Sequence, residues 1–568
     1  MSKKDEPYII PDYEKWPIHR LYANRETFVQ EVIDFTVQRI KETNREETSE
    51  VIARTLYRER LRTREEPWKV DPPNEISFWN RLRKKLIKQS IDKEAIETED
   101  INDEILETIV SRYANEIAGG FKIETYRFAK RFLNAFFNRL LNTAGNRNFQ
   151  RIYSRRQMLL RDRFKRHGET DILRKLSTQG TIVVVPTHFS NLDSIMLGWA
   201  ADSLGIPPMS YGAGLNLYNN KILARFMNRL GAYKLDRRKK NDIYLETLKS
   251  FSMLSVKQGT HTLFFPGGTR ERSGTLERKL KAGLLGTVTE AQRTHLQEGS
   301  DEKIFVVPLV ICYSFVLEAK KLIGDHLKRT GKELYISSED HLTFWRTVRF
   351  MWKLFSASSE IHLSFGRPMD VMGNFVDENG TSLDQNGKAI DLKDYFTSNG
   401  KITADLQRER EYTRRLADII VERYHKENIA LPSHVVAFTA FNILKNRNPK
   451  LDLYSLLRLP IEDREINYEE FLEKVGQMKF HLEKMLDEEK IKLSDIIKGD
   501  VKPLINNGLR NIGVFHPAAP LKFNGDKNLI SQDMELLYYY HNRLTGYGLE
   551  KLVNWEESMA ELHEEVLV

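Results

Sequence analysis

The chain has 568 residues, of which 40% are hydrophobic and 30% charged, and its formal net charge is +8. This length predicts two to four domains with a substantial core, and the positive charge favours an anionic partner: a membrane surface, a phosphorylated substrate, nucleic acid or an acidic carrier protein. The single cysteine, Cys312, excludes an internal disulfide framework and favours a reducing compartment. Because Cys312 lies in an apolar run, we interpret it as a small buried hydrophobe rather than a nucleophile.

Membrane-crossing and secretion signals are not expected. The first residues, MSKKDEPYIIPDYEKW, contain no apolar segment of signal-peptide length. The longest apolar-rich run, Phe305 to Leu317, is interrupted by Pro308 and falls short of the roughly 18 apolar residues that span a bilayer. If the protein acts on lipid, it is therefore expected to do so from the membrane surface.

Residues 1–165 are predicted to form a helical domain. Ile105, Ile109, Tyr113 and Ile117 recur every four residues, which is typical of one buried helix face, and two glycines follow. A second helix is predicted from residue 121 to about 141, with Phe128, Phe132 and Phe136 on one stripe and Leu133, Phe137 and Leu141 beside it. We favour a bundle core for this stripe, and the alternative is an interfacial helix on anionic lipid.

Residues 166–372 alternate between strand and helix patterns, which predicts an α/β domain with a mostly parallel sheet. The strand candidates are Thr181 to Val185, His261 to Phe265, Phe305 to Cys312 and Ile361 to Phe365, and a helix is predicted from Asp242 to Val256. An inserted helix places Phe344, Trp345, Val348, Met351, Trp352 and Phe355 on one face. It suits a membrane interface or, alternatively, a cover over the sheet.

Residues 373–568 are predicted to form a linker followed by a helical domain. The stretch from 371 to about 400 is rich in turn residues, whereas Val435 to Leu444, Glu462 to Lys492 and Met534 to Tyr540 are helix candidates. The sequence contains no C-x-x-C pair, H-E-x-x-H or P-loop, so neither a dedicated metal site nor a nucleoside triphosphate site is predicted.

The first candidate catalytic stretch is TIVVVPTHFSNLD, residues 181–193. Its β-branched run predicts a buried parallel strand that ends at Pro186, and ligands bind beyond such strand ends. His188 could therefore act as a general base near neutral pH, with Asp193 fixing its tautomer. This spacing alone is a weak signal.

Two basic stretches follow along the chain. LFFPGGTRERSG combines a strand end with Gly267, Gly268, Thr269, Arg270 and Arg272, a composition suited to cradling a phosphate. GAYKLDRRKK places Arg237 and Arg238 after a short apolar segment. Taken singly, each stretch is better interpreted as a solvated turn or a basic helix start.

Taken together and in order, THFSNLD, GAYKLDRR, FPGGTRERSG and VVPLVICYS resemble the conserved blocks of the glycerolipid acyltransferase family, including its H-x-x-x-x-D motif, over about 190 residues. GAGLNL, LKAGLLG, LVICYSFVLEAKKLIG and the C-terminal MELLYYYHNRLTGYG are similar to segments of its glycerol-3-phosphate branch. The sequence departs from the family at Gly267, where the third block usually has a glutamate. Whatever that glutamate orients must here be held by another group, and Glu271 is not an obvious substitute.

The resemblance implies transfer of a fatty acyl group from acyl-CoA or acyl carrier protein to the sn-1 hydroxyl of glycerol 3-phosphate, in phospholipid biosynthesis. It implies that His188 and Asp193 are catalytic, and that Arg270 and Arg272, with Arg238 or Lys281, bind the phosphate. Arg237, Gly267, Gly268 and Thr269 belong to the same substrate-binding blocks, and backbone N–H groups near the two glycines are candidates for stabilising the oxyanion.

No metal and no cofactor are expected beyond the acyl donor, and nucleic acid is not an expected partner. The expected location is cytoplasmic, peripheral on the inner face of the cell membrane. The alternatives are lysophosphatidate acyltransfer, another acceptor such as an amino-acid lipid, and a non-enzymatic basic membrane-binding scaffold.

Overall fold

The computed structural model describes residues 7–43, 48–92, 95–132, 135, 164–215, 218, 221–330, 360–513 and 516–556. Residues 344–355, which are predicted to form the membrane-interface helix, lie outside this part of the chain. Among the described helices, none is both long enough and apolar enough to cross a bilayer.

The N-terminal segment is helical, as predicted. After a 3-10 turn at Tyr13–Lys15 it contains α1 (Pro17–Ala23), α2 (Arg25–Thr43), α3 (Thr48–Glu65), α4 (Glu75–Asp92), α5 (Ala95–Ile117) and α6 (residues 123–132). The four-residue apolar repeat of α5 is fully buried, so its prediction as a core face is confirmed. Helices α2 and α5 pack against each other.

Helix α6 corrects one sequence interpretation. The side chains of Phe128 and Phe132 stack on each other but are 61% and 45% exposed, so the prediction that they form a bundle core is wrong. The helix buries Ala129 instead, because that residue lies on the face turned towards the protein. The rest of the predicted stripe, Leu133, Phe136, Phe137 and Leu141, lies outside the described residues.

The middle segment is built on a seven-stranded sheet with the order β1-β7-β6-β2-β5-β3-β4. Its strands are β1 (Phe164–Gly168), β2 (Gly180–Pro186), β3 (Ser210–Gly214), β4 (Ala232–Leu235), β5 (Thr262–Leu263), β6 (Lys303–Tyr313) and β7 (Ile361–Phe365). All neighbouring strands of this sheet are parallel except β6 and β7. The predicted α/β fold with a mostly parallel sheet is confirmed.

Helices cover this sheet and bury its central strands, because apolar side chains point to both faces of β2 and β6. They are α7 (Thr170–Leu176), α8 (Asp193–Ser203), α9 (Lys221–Met227), α10 (Asp242–Lys257), α11 (Ala282–Gln297) and α12 (Ala319–Thr330). Helix α10 packs against α2, α5 and α11, which joins the N-terminal helices to the sheet domain through one hydrophobic core.

The predicted strands at β2, β5, β6 and β7 are confirmed, whereas β1, β3 and β4 were not predicted. Strand β1 is the polar segment FKRHG, and β3 and β4 are short and contain glycine or lysine. Such segments have no apolar run of strand length, so their composition and periodicity do not mark them as strands.

The C-terminal segment begins with hairpins, in agreement with its turn-rich sequence. β8 (Ser382–Leu383) pairs with β9 (Ala389–Ile390), and β10 (Thr397–Ser398) pairs with β11 (Lys401–Ile402). The helices are α13 (Lys393–Phe396), α14 (Leu406–Glu427), α15 (Pro432–Arg447), α16 (Leu453–Leu457), α17 (Tyr468–Asp487), α18 (Val501–Gly513), α19 (Met534–His541) and α20 (Leu549–Leu552), with 3-10 turns at Ile461–Arg464 and Asn542–Leu544. Between these helices lie five short strands: β12 (Ile429–Ala430), β13 (Glu465–Ile466), β14 (Lys492–Leu493), β15 (Lys522–Phe523) and β16 (Leu529–Ile530). Helix α14 packs against β6 and α11.

Candidate active site

His188 and Asp193 meet where β2 ends and α8 begins. The two side chains are joined by a hydrogen bond of 2.8 Å between His188 Nδ1 and Asp193 Oδ2. The same oxygen accepts the backbone N–H groups of Phe189 and Ser190, at 2.7 and 3.0 Å. Because Asp193 is also the first residue of α8, the helix dipole favours its negative charge. The five-residue spacing is thus the length of one turn that closes on the carboxylate.

This geometry assigns the two nitrogens of the His188 ring. Asp193 is fully buried and its carboxylate accepts hydrogen bonds from its neighbours. His188 Nδ1 therefore carries a hydrogen and donates a hydrogen bond to the carboxylate. Among the residues that the structure describes, none hydrogen-bonds Nε2, and the His188 side chain is 14% exposed. Nε2 is therefore the nitrogen available to accept a proton from a substrate hydroxyl.

Tyr313, at the end of β6, holds the second oxygen of Asp193. Its hydroxyl donates to Asp193 Oδ1 at 2.6 Å. Burial, with the Asp193 carboxylate next in importance, raises the pKa of the Tyr313 hydroxyl well above its usual value, so the hydroxyl remains a donor. The Tyr313 backbone oxygen accepts from His434 of α15, which connects the C-terminal helices to the pair.

The loop after β5 holds the backbone of His188 from two sides. Glu271 N donates to His188 O at 2.7 Å, and His188 N donates to Glu277 Oε1 at 2.8 Å. The His188 ring lies against the ring of Phe265, with centroids 4.0 Å apart. Residues about 80 positions apart in the sequence thus form one unit, because β2 and β5 are neighbouring parallel strands whose carboxyl ends lie at the same edge.

The glycine turn brings Lys281 to this loop. Gly268 has a φ of +80°, a left-handed conformation that favours glycine, and a Cβ on it would lie 2.6 Å from Lys281 Nζ, so the lysine side chain packs across the turn. Lys281 N donates to Pro266 O at 2.8 Å, which fixes the start of α11 beside the turn. The Gly268 N–H closes the turn on Phe265 O at 3.0 Å and is not directed at a substrate.

Arg270 lies on the same loop and faces Glu318, with Nη1 and Oε1 3.5 Å apart. Glu318 also accepts from Ser190 Oγ at 3.1 Å and from Asn191 N at 3.2 Å. The carboxylate therefore links the arginine loop to the His188–Asp193 turn. Thr269 and Arg272, the other predicted binding residues here, are half-buried on the same loop.

Arg237 and Arg238 follow β4, which lies three strands from β2 and therefore roughly 14 Å along the sheet. Arg238 pairs with Asp71 at 2.5 Å and with Asp236 at 2.7 Å, and its guanidinium stacks 4.2 Å above the ring of Trp68. These contacts tie the end of β4 to the segment between α3 and α4. Arg237 is exposed at the same strand end.

The C-terminal residues that follow α19 cover the back of the site. Asn542 Nδ2 donates to Ser273 O at 2.8 Å. The guanidinium of Arg543 lies 3.9 Å from the centroid of the Phe189 ring, and its Nη2 donates to Ile311 O at 2.7 Å. This segment therefore buttresses both the turn after β2 and the loop after β5.

Sequence reasoning missed the roles of Tyr313, Glu277, Glu318 and Arg543. Tyr313 and Glu318 lie within LVICYSFVLEAKKLIG and Arg543 within MELLYYYHNRLTGYG, two segments that already resemble the family. Glu277 has no comparable signal, because it lies outside the quoted blocks. Among the described residues, no cluster of three or more His, Cys, Asp or Glu side chains could hold a metal ion.

Comparisons with known proteins find similarity to acyltransferases. The family model named Acyltransferase matches residues 163–312, which include β1 to most of β6. A glycerol-3-phosphate acyltransferase of Pseudomonas aeruginosa (strain UCBPP-PA14) is 27% identical over 299 residues, 52% of this chain and 31% of the relative. A glycerol-3-phosphate acyltransferase of Pseudomonas fluorescens (strain Pf0-1) is 23% identical over 395 residues, 69% of this chain and 40% of the relative.

The aligned region therefore spans less than half the length of these relatives. A solved structure, the 1-acyl-sn-glycerophosphate (LPA) acyltransferase PlsC from Thermotoga maritima, matches with 13% identity and a TM-score of 0.23, over 61% of this chain and 88% of that one.

The sheet domain, with His188 and Asp193 at its strand edge, is an acyltransferase domain. Over this region the chain is similar to bacterial glycerol-3-phosphate acyltransferases.

Proposed function

We propose that this chain transfers a fatty acyl group from acyl-CoA or acyl carrier protein to the sn-1 hydroxyl of glycerol 3-phosphate, a step of phospholipid biosynthesis. One observation carries the proposal. The His188–Asp193 pair and the loop bearing Arg270 and Lys281 are joined through the His188 backbone, so the imidazole and the basic side chains share one edge of the sheet. The similarity to glycerol-3-phosphate acyltransferases supports this acceptor.

In the proposed reaction, His188 Nε2 takes the proton as the sn-1 oxygen attacks the thioester carbonyl carbon. The new C–O bond forms a tetrahedral intermediate, and the C–S bond then breaks to release a thiolate. The imidazolium returns its proton to that thiolate. Asp193 holds the ring in the tautomer required and stabilises the imidazolium, while Tyr313 stabilises the carboxylate.

The phosphate of the acceptor is assigned to the loop after β5. Arg270, Arg272 and Lys281 supply positive charge there, and arginine offers a planar fork that matches phosphate oxygens. Fixing the phosphate places the hydroxyl relative to Nε2, and positioning of this kind lowers barriers by several kcal/mol. Arg238 is not given this role, because two carboxylates already pair with it.

We further propose that the protein works on the membrane surface at the cytoplasmic side. The exposed Phe128 and Phe132 lie on α6 beside the exposed Arg127 and Arg131, and aromatic and basic side chains together suit a lipid interface. The net charge of +8 favours anionic headgroups. The acyl donor is a substrate of this reaction, which requires no cofactor or metal.

The acceptor assay tests the proposal. Purified full-length protein is supplied with glycerol 3-phosphate or with 1-acyl-glycerol 3-phosphate, each with acyl-CoA and with acyl carrier protein as donor. Formation of 1-acyl-glycerol 3-phosphate that is lost in His188→Ala supports the proposed function. Consumption of the lysophosphatidate alone overturns the acceptor, and liposome binding without turnover for any pair overturns the enzymatic reading.

A further inference from the structure

The carboxyl group of Glu277 occupies a defined place behind the catalytic histidine. Glu277 is 5% exposed, and its Oε1 accepts the His188 backbone N–H at 2.8 Å. Since Glu271 N donates to His188 O, both backbone polar groups of His188 are satisfied by the same loop. The position of the imidazole relative to Asp193 thus depends on this acceptor.

The Glu277 side chain lies directly beside Gly267. A Cβ built on Gly267 would lie 3.3 Å from Glu277 Cγ and 3.6 Å from Glu277 Oε1. The backbone itself does not require glycine, because φ is in the left-handed region at Gly268 and not at Gly267. The Glu277 side chain is therefore what crowds position 267, and its oxygen lies within the length of a glutamate side chain from that position.

We infer that Glu277 is a positioning residue that supplies, from ten residues further along the chain, the carboxyl group which the family resemblance places at position 267, and that it holds the His188 backbone for catalysis. The inference rests on the proposed function for its catalytic meaning. Glycine at 267 and glutamate at 277 are then a compensating pair. The buried carboxyl group occupies the same site, but position 277 supplies it instead of position 267.

The surroundings of Glu277 are consistent with this role. Burial raises the pKa of its carboxyl group to about 8, and the hydrogen bond from His188 N opposes that rise. Its Oε2 is buried without a hydrogen-bond partner among the described residues. A buried polar atom left in this way destabilises the fold, which is understandable if the group serves the site rather than stability.

The experiment compares five full-length variants with the wild type: Glu277→Ala, Glu277→Gln, Gly267→Glu, Gly267→Glu/Glu277→Ala and the control Glu427→Ala. Glu427 is an equally buried glutamate whose partners, Ser364, Arg423 and Lys492, lie away from His188. The measurements are kcat, the KM for glycerol 3-phosphate, and hydrogen exchange of the peptide containing the His188 amide.

We expect Glu277→Ala to lower kcat on the order of 100-fold with little change in KM, and to speed exchange of the His188 amide on the order of 10-fold. Glu277→Gln, which keeps an acceptor oxygen, should retain protection and most of kcat. Gly267→Glu alone should lose activity because two carboxyl groups then crowd one site. The double variant should recover both kcat and protection, whereas Glu427→Ala should lower stability without changing kcat.

The inference is overturned if Glu277→Ala leaves kcat and exchange at wild-type levels, or if the double variant is as defective as the worse single variant. The exchange measurement separates this result from failure of the proposed function. If the wild-type protein transfers no acyl group to glycerol 3-phosphate, the function fails. Loss of His188 protection in Glu277→Ala and its return in the double variant would still establish the compensating pair.

Discussion

The buried hydroxyl of Tyr313 donates a 2.6 Å hydrogen bond to Asp193 Oδ1, while His188 donates to the other oxygen of the same carboxylate. Tyr313 lies at the end of β6 and His188 just beyond the end of β2, so the pairing of these two parallel strands aligns all three side chains. Asp193 is thereby prevented from rotating, and the orientation of the His188 ring follows from it.

Removing that hydroxyl should weaken catalysis without affecting substrate binding. We expect Tyr313→Phe to lower kcat on the order of 10-fold, in keeping with about 1–1.5 kcal/mol for one lost hydrogen bond, and to leave the KM for the acceptor unchanged. The matched control is Tyr424→Phe, which loses a buried hydroxyl bond to Val185 O but does not touch Asp193. Steady-state kinetics of both variants test this prediction. A kcat for Tyr313→Phe equal to that of Tyr424→Phe would contradict the role of Tyr313.

Substitution of His188 or Asp193 should abolish or strongly reduce activity, whereas substitution of a histidine outside the site should not. His188→Ala is expected to abolish acyl transfer, and Asp193→Asn to reduce kcat on the order of 10⁴-fold because the wrong tautomer is favoured. His481 of α17 provides the control, since His481→Ala should keep full activity. Product formation is followed with radiolabelled glycerol 3-phosphate. An active His188→Ala enzyme would remove the mechanism.

Arg270 should affect acceptor binding more than turnover. We expect Arg270→Ala to raise the KM for glycerol 3-phosphate by roughly 10- to 100-fold, because charge-assisted hydrogen bonds contribute about 1.5–3 kcal/mol. The KM for the acyl donor should stay constant. Arg414→Ala, which removes an exposed guanidinium paired with Glu411, is the control. A fall in kcat at unchanged KM would assign Arg270 to the chemical step instead.

Gly268 should tolerate no side chain, in contrast to a glycine nearby. Gly268→Ala would force a left-handed backbone, which destabilises by about 1–2 kcal/mol, and would displace Lys281. We expect a lower free energy of unfolding and a raised KM for the acceptor. Gly283→Ala in α11 meets no atom within 4 Å and should preserve both quantities. Urea unfolding together with kinetics tests the pair, and similar behaviour of the two variants would be inconsistent with the turn geometry.

Glu277 should make stability depend on pH. Its pKa is about 8 in the folded protein and 4.5 as the unperturbed reference, so between these values the folded state retains a proton that the unfolded state has lost. Stability from this group therefore falls as pH rises through that window, by several kcal/mol in all, and levels off above pH 8. In urea unfolding, the free energy of unfolding of Glu277→Gln should increase relative to that of the wild type as the pH rises from 5 to 8.5. A pH-independent difference would contradict the raised pKa.

Local patterns in the sequence determined much of this protein. Three features depend only on residues that are neighbours in the chain, and they could therefore be predicted from the sequence: the buried strand before His188, the five-residue step to Asp193 and the glycine turn before Arg270. The same holds for the buried face of α5 and the hairpins after β7. The order of the blocks produced the resemblance to the glycerolipid acyltransferases.

Only the tertiary structure decided what depends on contacts between distant segments. It exposed Phe128 and Phe132, because amphipathic spacing cannot distinguish a bundle face from an outer surface. It placed Arg238 among the carboxylates of Asp71 and Asp236, and it brought Tyr313, Glu318 and Glu277 to the His188–Asp193 turn. These partners come from other strands and loops. Parallel strand pairing joins residues about 80 to 130 positions apart, and the sequence around either partner contains no periodic pattern that would predict the contact.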